Sequence, residues 1–270
     1  MSIFKVGIVG AGFVGSSVIN GFDTDTVEQY VVDPDLIPGS NIEALVEFDP
    51  QITFVCVPTP ESDTGHVDVT IARHVLMQLS ANAYKGIVVM KSTITPDSLI
   101  NMKKDFGIRL VYNPEFLTEA NAHQDFINPQ MQVLGGKWKD CDIVEKAYVR
   151  HSKVKVVPTF KTDLISASLL KYTINSWLAT KVSFFNELHE LHESSGASST
   201  WTQFTDMLTR DTRIGDTHMK VPGPDGKFGF GGHCFPKDTA GILKYAESKN
   251  HRLKLLETAV KLNEKQRSKD

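Results

Sequence analysis

Short runs of β-branched and aromatic residues recur along the first part of the chain, each followed by a stretch with apolar residues at helical spacing. The runs are Ile3–Val9, Tyr30–Val32, Ile52–Val57, Gly86–Met90, Arg109–Tyr112, Met131–Leu134 and Val154–Val157. Strands alternating with helices predict an α/β fold: a doubly wound parallel sheet with helices on both faces. After Pro158 the strands stop in this reading, and Thr162 to about Ser194 runs without Pro or Gly, with Leu164, Ala167, Leu170, Ile174 and Leu178 at helical spacing. A helix of that length extends about 45 Å, more than one small domain covers, so part of its apolar face is expected against a second subunit in a homodimer. A further helical stretch, a Gly/Pro-rich loop from Val221 to Gly232, and one or two helices over Pro236–Gln266 complete the chain. The expected domains are 1–158, the sheet, and 159–270, an all-helical domain with a long central helix.

Composition narrows the partners. A chain of 270 residues with 41% hydrophobic and 23% charged residues suits one large or two modest soluble domains. A net charge of -3 lacks the basic footprint of a nucleic-acid or anionic-membrane binder, so small molecules or protein are expected as partners, with no nucleic acid and no membrane. The first ten residues lack a signal-peptide layout, and no apolar run approaches the roughly 18 residues of a membrane span, so a cytoplasmic location is expected. Cys56, Cys141 and Cys234 are too few and too scattered for a disulfide framework or a zinc site, and no metal is expected. Cys56 falls in an apolar run and reads as a core thiol; Cys141 reads as a bystander.

Several segments carry chemistry. Gly10-Ala11-Gly12-Phe13-Val14-Gly15 follows a predicted strand and opens a predicted helix, the setting of a Rossmann-like dinucleotide site. Asp33 ends the next strand, where a carboxylate accepts from ribose hydroxyls and repels a 2'-phosphate, which favours NAD over NADP. Val57-Pro58-Thr59-Pro60 and Lys91-Ser92-Thr93 follow two more strands at their carboxyl ends, the ligand-binding edge of such sheets, although Thr59 reads nearly as well as a capping hydroxyl. Gly229-Phe230-Gly231-Gly232-His233-Cys234-Phe235-Pro236-Lys237-Asp238 puts a thiol at a predicted helix N-terminus, where its pKa falls toward that of a nucleophile; a glycine turn around a buried thiol is the alternative. Asp238 follows Cys234 by one turn. Lys171 with Asn175, and Glu115 with Glu119, share that spacing. The first pair suits an oxyanion; solvated lysine and first-turn carboxylates are the plain alternatives.

With these residues in view, the chain resembles the UDP-glucose dehydrogenase family of nucleotide-sugar dehydrogenases over essentially its whole length. The resemblance rests on Gly10–Gly15, Val57–Pro60, Ser92-Thr93, Asn113-Pro114-Glu115-Phe116-Leu117, Lys171–Asn175, Asn186-Glu187, Arg213-Ile214-Gly215, Val221–Pro224 and Gly229–Asp238, in that family's order. It implies an NAD-dependent oxidation of a sugar's primary alcohol to a carboxylate, in two hydride transfers, with UDP-glucose as substrate and Cys234 as the nucleophile. Lys171 and Asn175 would stabilise the oxyanion, and Thr93, Glu115 and Asp238 would handle water and protons, with Glu115 as the base. Glu119 matches an active-site carboxylate. Phe116, Leu117 and Gly231 are implied at the substrate, and Arg213 matches an arginine that reaches the substrate across a dimer interface.

The chain also departs from the family. Members normally continue into a third domain that grips the nucleotide, whereas this sequence stops at Asp270; a separate chain supplying that domain, a neighbouring subunit, or a smaller substrate would each accommodate this. The stretch from Asp33 to Ile52 looks short by a strand-helix unit, and Thr118 stands where another residue is common. GDP-mannose or another sugar substrate, a one-step β-hydroxyacid-type dehydrogenase and a non-catalytic NAD-binding remnant stay open as alternatives.

Overall fold

The structure is a computed structural model that describes residues 3–118 and 121–269. It divides into two compact units: Met1–Pro60 with Val67–Lys171, and Glu61–His66 with Tyr172–Asp270.

The first unit is a seven-stranded sheet. Strands β1 (Phe4–Val9), β2 (Val27–Val32), β3 (Ile52–Val55), β4 (Ile87–Met90), β5 (Arg109–Tyr112), β6 (Gln132–Gly136) and β7 (Thr159–Thr162) lie in the order β2-β1-β3-β4-β5-β6-β7. All neighbours are parallel except β5 and β6, where Val111 faces Gly136. Among the described residues no strand lies outboard of β2, in keeping with the short stretch between Asp33 and Ile52, which holds only α2 (Ile42–Phe48).

Alternation along the strands explains the two covered faces. Val9, Val55, Val88, Met90, Leu110 and Tyr112 point to one side, where α2, α3 (Thr70–Ala81), α4 (Pro96–Phe106) and the first turns of the long helix α7 (Leu164–Ser194) cover them. Val6, Ile8, Phe54, Val89 and Val111 point to the other, under α1 (Phe13–Phe22), α5 (Ala122–Ile127) and α6 (Trp138–His151). Strands buried on both faces read as continuous apolar runs, which is why β3 and β4 stand out in the sequence. On the second face Phe22, Phe54 and Tyr148 pack tilted and edge to face with centroids 5.0–5.9 Å apart, each contributing about 1.5–3 kcal/mol through burial.

One expected strand is misplaced. Val154–Val157 forms no ladder: Lys153 and Lys155 spend their N–H groups on the carbonyls of Gly21 and Ile127, and Val156 stays 76% exposed. Pairing with β6 begins one residue beyond Pro158, which has no N–H to donate, with Thr159 opposite Gln132. Strands therefore do not stop at Pro158, because β7 follows it.

The second unit is helical, as expected. It contains α7 from Tyr172 onward, α8 (Trp201–Leu208), α9 (Phe235–Ser248) and α10 (Lys254–Arg267). The long helix is continuous. Thr200 and Gln203 form a reciprocal capping box that starts α8. Phe185, Trp201, Met219 and Val221 make a small core, with the Trp201 indole N–H donating to the Met219 carbonyl at 3.0 Å. Gln266 donates to the Ser183 carbonyl and Ser183 to that of Ala259, so α10 is pinned along α7. Among the described residues, no helix is long and apolar enough to cross a membrane.

Candidate active site

Because β1, β3, β4 and β5 are parallel and adjacent, their carboxyl ends share one edge of the sheet. The chain leaves β1 with β2 on one side and β3 on the other, so the topological switch point lies at β1, the place where open α/β sheets bind ligands.

At that point Gly10 adopts φ +89°, a left-handed conformation that glycine alone takes readily, and a Cβ there would sit 2.8 Å from the Cys56 carbonyl oxygen. A Cβ on Gly15 would fall 1.8 Å from the Gly10 oxygen, so helix and turn touch only because Gly15 lacks a side chain. Gly12, the N-cap of α1, has nothing within 4 Å of where its Cβ would be, and no side chain caps the helix. Val14 is half-buried and Phe13 is 43% exposed beside it. The Asp33 carboxylate accepts from the Ala11 N–H at 2.7 Å and from the Asp35 and Leu36 N–H groups at 3.2 Å, which fixes it beside the turn. Open backbone approach, uncapped N–H groups and a positioned carboxylate fit a dinucleotide.

Further along the edge, two hydroxyls stitch β3 to β4. Thr59 donates to the Thr93 carbonyl at 3.0 Å and Ser92 to the Val57 carbonyl at 2.6 Å, while Pro58 stays exposed between Val57 and Thr59. The Thr59 hydroxyl thus ties the two loops together. Beyond β5, Glu115 is buried. One carboxylate oxygen takes the Leu117 N–H at 2.7 Å and the other takes Lys171 Nζ at 3.0 Å, while Nζ also donates to the Glu115 carbonyl at 2.6 Å. Burial alone would raise the Glu115 carboxyl, but Lys171, the Leu117 N–H and Lys91 together outweigh it and hold the carboxyl below its usual value. The Phe116 ring lies under the same ammonium at 5.4 Å. Thr118, the position unusual in sequence, donates twice to Asp125 at the start of α5. Glu119 lies outside the described residues.

In the second unit Cys234 is half-buried at the N-cap of α9, and the Asp238 N–H donates to its carbonyl at 2.9 Å. Asp238 is 1% exposed; its two carboxylate oxygens take Asn175 Nδ2 at 2.5 Å and Lys237 Nζ at 2.6 Å. The glycine loop before Cys234 is clasped by asparagines: Asn186 accepts from the Gly229 N–H, and Asn263 pairs with both the N–H and the carbonyl of Phe230. Gly231 lies against the Arg267 guanidinium. Arg213 is 87% exposed and pairs only with Asp211 of its own turn among the contacts described.

Within the units, then, Lys171 meets Glu115, Asn175 meets Asp238, and Thr59 meets Thr93, while Arg213 meets none of the other candidates. Sequence reading passed over two groupings. One is the asparagine clasp on the glycine loop: Asn186 stands in a segment that carries the resemblance, but its contact and those of Asn263 exist only once the loop closes on them. The other is a buried hub around Asn113. Its Oδ1 accepts from Lys91 Nζ at 3.0 Å and Tyr148 Oη at 2.7 Å, and its Nδ2 donates to the Val133 carbonyl and to Gln132. A lysine directly after the apolar run Ile87–Met90 was the available signal for it.

A parallel sheet with its switch point at a glycine turn, and an acidic residue closing the second strand, defines a dinucleotide-binding protein of the Rossmann-like class. The chain belongs to the UDP-glucose/GDP-mannose dehydrogenase family: residues 40–151 match that family's NAD binding domain and residues 165–265 its central domain. It is 34% identical over 254 residues to the UDP-glucose 6-dehydrogenase TuaD of Bacillus subtilis, covering 90% of this chain and 52% of that one. It is 33% identical over 225 residues to the UDP-glucose 6-dehydrogenase of Rickettsia bellii, covering 81% and 50%. The chain thus spans about half the length of the curated relatives it matches. A solved UDP-glucose dehydrogenase from Pyrobaculum islandicum superposes with a TM-score of 0.84 at 25% identity, covering 97% of this chain and 68% of that one.

Proposed function

We propose that this chain is an NAD-dependent nucleotide-sugar dehydrogenase that oxidises the C6 primary alcohol of UDP-glucose to UDP-glucuronate through a thioester on Cys234. The contrast among its cysteines carries this reading. Burial pushes the Cys56 thiol up to about 12 and the Cys141 thiol to about 11, so both stay protonated and inert. Cys234 alone is half-buried and sits at a helix N-terminus, where the dipole favours a thiolate. A one-step dehydrogenase needs no such thiol. The names of the relatives support UDP-glucose over other nucleotide sugars.

NAD held by Gly10, Gly12, Phe13, Val14, Gly15 and Asp33, with Val57, Pro58, Thr59 and Thr93 along the sheet edge, supplies the hydride acceptor for both oxidation stages. Lys171 and Asn175, one helical turn apart on α7, steady the alkoxide oxygen as the hydroxyl proton passes to water and the first hydride departs. The Cys234 thiolate forms a C–S bond to the resulting aldehyde carbon, and the same two donors hold the tetrahedral oxyanion. Loss of the second hydride restores the C=O bond and leaves a thioester. Water adds to that carbon, Glu115 takes its proton, and the C–S bond breaks to return the thiolate. The alcohol carbon has then lost two hydrides and gained one oxygen from water. Glu115 is ionised until it takes that proton, and it becomes the stronger base as Lys171 turns from it toward the oxyanion. Asp238 orients the Asn175 amide it already holds. Phe116, Leu117 and Gly231 line the sugar, and Arg213 reaches the substrate bound by a second subunit.

That second subunit packs along α7. Trp177, Phe184 and Leu191 repeat every two turns on one face of the helix and are 56–62% exposed, a stripe of the kind that a partner helix covers. Phe184→Glu should leave a monomer in sedimentation; an unchanged dimer would sink this part.

The test of the function is the count of NADH formed per UDP-glucose consumed by purified protein. Two per sugar is expected, with Cys234→Ser forming no acid while still binding NAD. One per sugar would replace the reading with a one-step dehydrogenase, and none would overturn it.

A further inference from the structure

The Lys171–Glu115 pair raises a difficulty for the proposed chemistry. An oxyanion is best stabilised by a positive charge, yet Lys171 spends two of its three N–H bonds on Glu115, and the pair is neutral. Another cation is needed nearby to make the surroundings favour a developing negative charge.

Lys91 meets the requirement. It follows β4 directly, is 3% exposed, and donates to Asn113 Oδ1. The groups around it come from every packed element. Cys56, after β3, stays a neutral thiol, and burial raises the Tyr148 hydroxyl of α6 well above its ordinary value, so neither neutralises the lysine. The Phe126 ring of α5 lies under Nζ at 5.6 Å. Glu115 attracts the ammonium and Lys171 repels it, so the three side chains share one electrostatic field. Among the described residues, the set Lys91, Glu115 and Lys171 carries a net charge of one plus.

We propose that Lys91 is a positioning residue of the dehydrogenase centre: its buried ammonium, fastened to Asn113, restores the positive field that Glu115 cancels at Lys171. The inference rests on the dehydrogenase reading above. It uses Asn113 twice, because the same side chain that anchors the ammonium stands two residues before Glu115 and is itself tied to β6 and α6. Burial lowers the Lys91 ammonium to about 8, with Lys171 acting in the same direction and Glu115 against it. The field is therefore present at neutral pH and lost above it, while the hydrogen bond to Asn113 survives, since a neutral amine still donates.

Lys91→Met keeps the aliphatic stem and removes the charge. The variant is expected to bind NAD as the wild type does, to unfold at the same temperature or higher because a buried charge has gone, and to lose about tenfold or more in kcat at pH 7. The pH profile separates charge from packing. Wild-type kcat for UDP-glucose oxidation should fall above pH 8 with an apparent pKa near 8, and the Lys91→Met profile should be flat from pH 7 to 9.5. Independently of whether that variant folds, wild-type protein labelled with 13C-lysine should show one Cε resonance titrating near 8. Turnover with the same alkaline limb in Lys91→Met, or no lysine titrating below about 9.5, would overturn the inference alone. No turnover by the wild-type chain would overturn the dehydrogenase reading and this inference with it.

Discussion

The chain has two glycine-rich loops that each open a helix, and they use glycine for opposite reasons. In Gly10–Gly15 the middle glycine faces empty space: a Cβ on Gly12 would meet nothing within 4 Å. In Gly229–Gly232 the space is already taken by the protein. A Cβ on Gly229 would fall 2.3 Å from Asn263 Oδ1, and one on Gly231 2.7 Å from the Arg267 guanidinium. The first loop keeps room for a ligand, whereas the second is squeezed into place so that the residue after it, Cys234, is held at the start of α9. Glycine spacing alone does not distinguish a cradle from a clasp, and the neighbours do.

Substitutions to alanine sharpen this comparison. The largest effect is expected at Gly15, where the new methyl would lie 1.8 Å from a backbone oxygen that cannot turn aside. Gly15→Ala should cost more than about 4 kcal/mol and leave little soluble protein; a well-folded variant with an unshifted melting temperature would show that the turn is looser than described. Gly229→Ala comes next. Its φ of +71° costs an alanine about 1–2 kcal/mol, and displacing Asn263 from Phe230 costs about 1 more, so Tm should fall by about 5–10 °C. The smallest change in stability is expected at Gly12. Gly12→Ala should leave Tm within about 1 °C of wild type yet weaken NAD about tenfold by calorimetry, because its methyl enters the approach to the pyrophosphate. A Gly12→Ala protein that melts early and binds NAD normally would erase the distinction between the loops.

The same contrast tells how much was legible beforehand. Fold and order of elements were readable wherever burial is two-sided, as in β3 and β4, because a continuous apolar run bounded by loops has few other uses. The strand placed at Val154–Val157 was misread because a β-branched run says nothing about which carbonyls its N–H groups will find; those of Lys153 and Lys155 find Gly21 and Ile127. Candidate residues with a one-turn spacing were legible as pairs, since the spacing is local. Their partners were not. Lys171 pairs with Glu115 across 56 positions and Asn175 with Asp238 across 63. The Asn113 hub gathers Lys91, Gln132 with Val133, and Tyr148 from three separate segments, and no local pattern joins them.

By itself, then, the sequence determined what depends on neighbours along the chain: the alternation of strand and helix, the glycine turn after β1, the uninterrupted α7, and a cysteine one turn before an aspartate. Tertiary structure decided what depends on distant groups meeting in a low-dielectric interior. It made Glu115 an ionised partner of Lys171 and kept Cys56 a neutral thiol, and it put a buried ammonium on Asn113. Local periodicity records which side of an element is apolar, but charge states in a core depend on desolvation and on the sum of nearby charges, which exist only once the chain has folded.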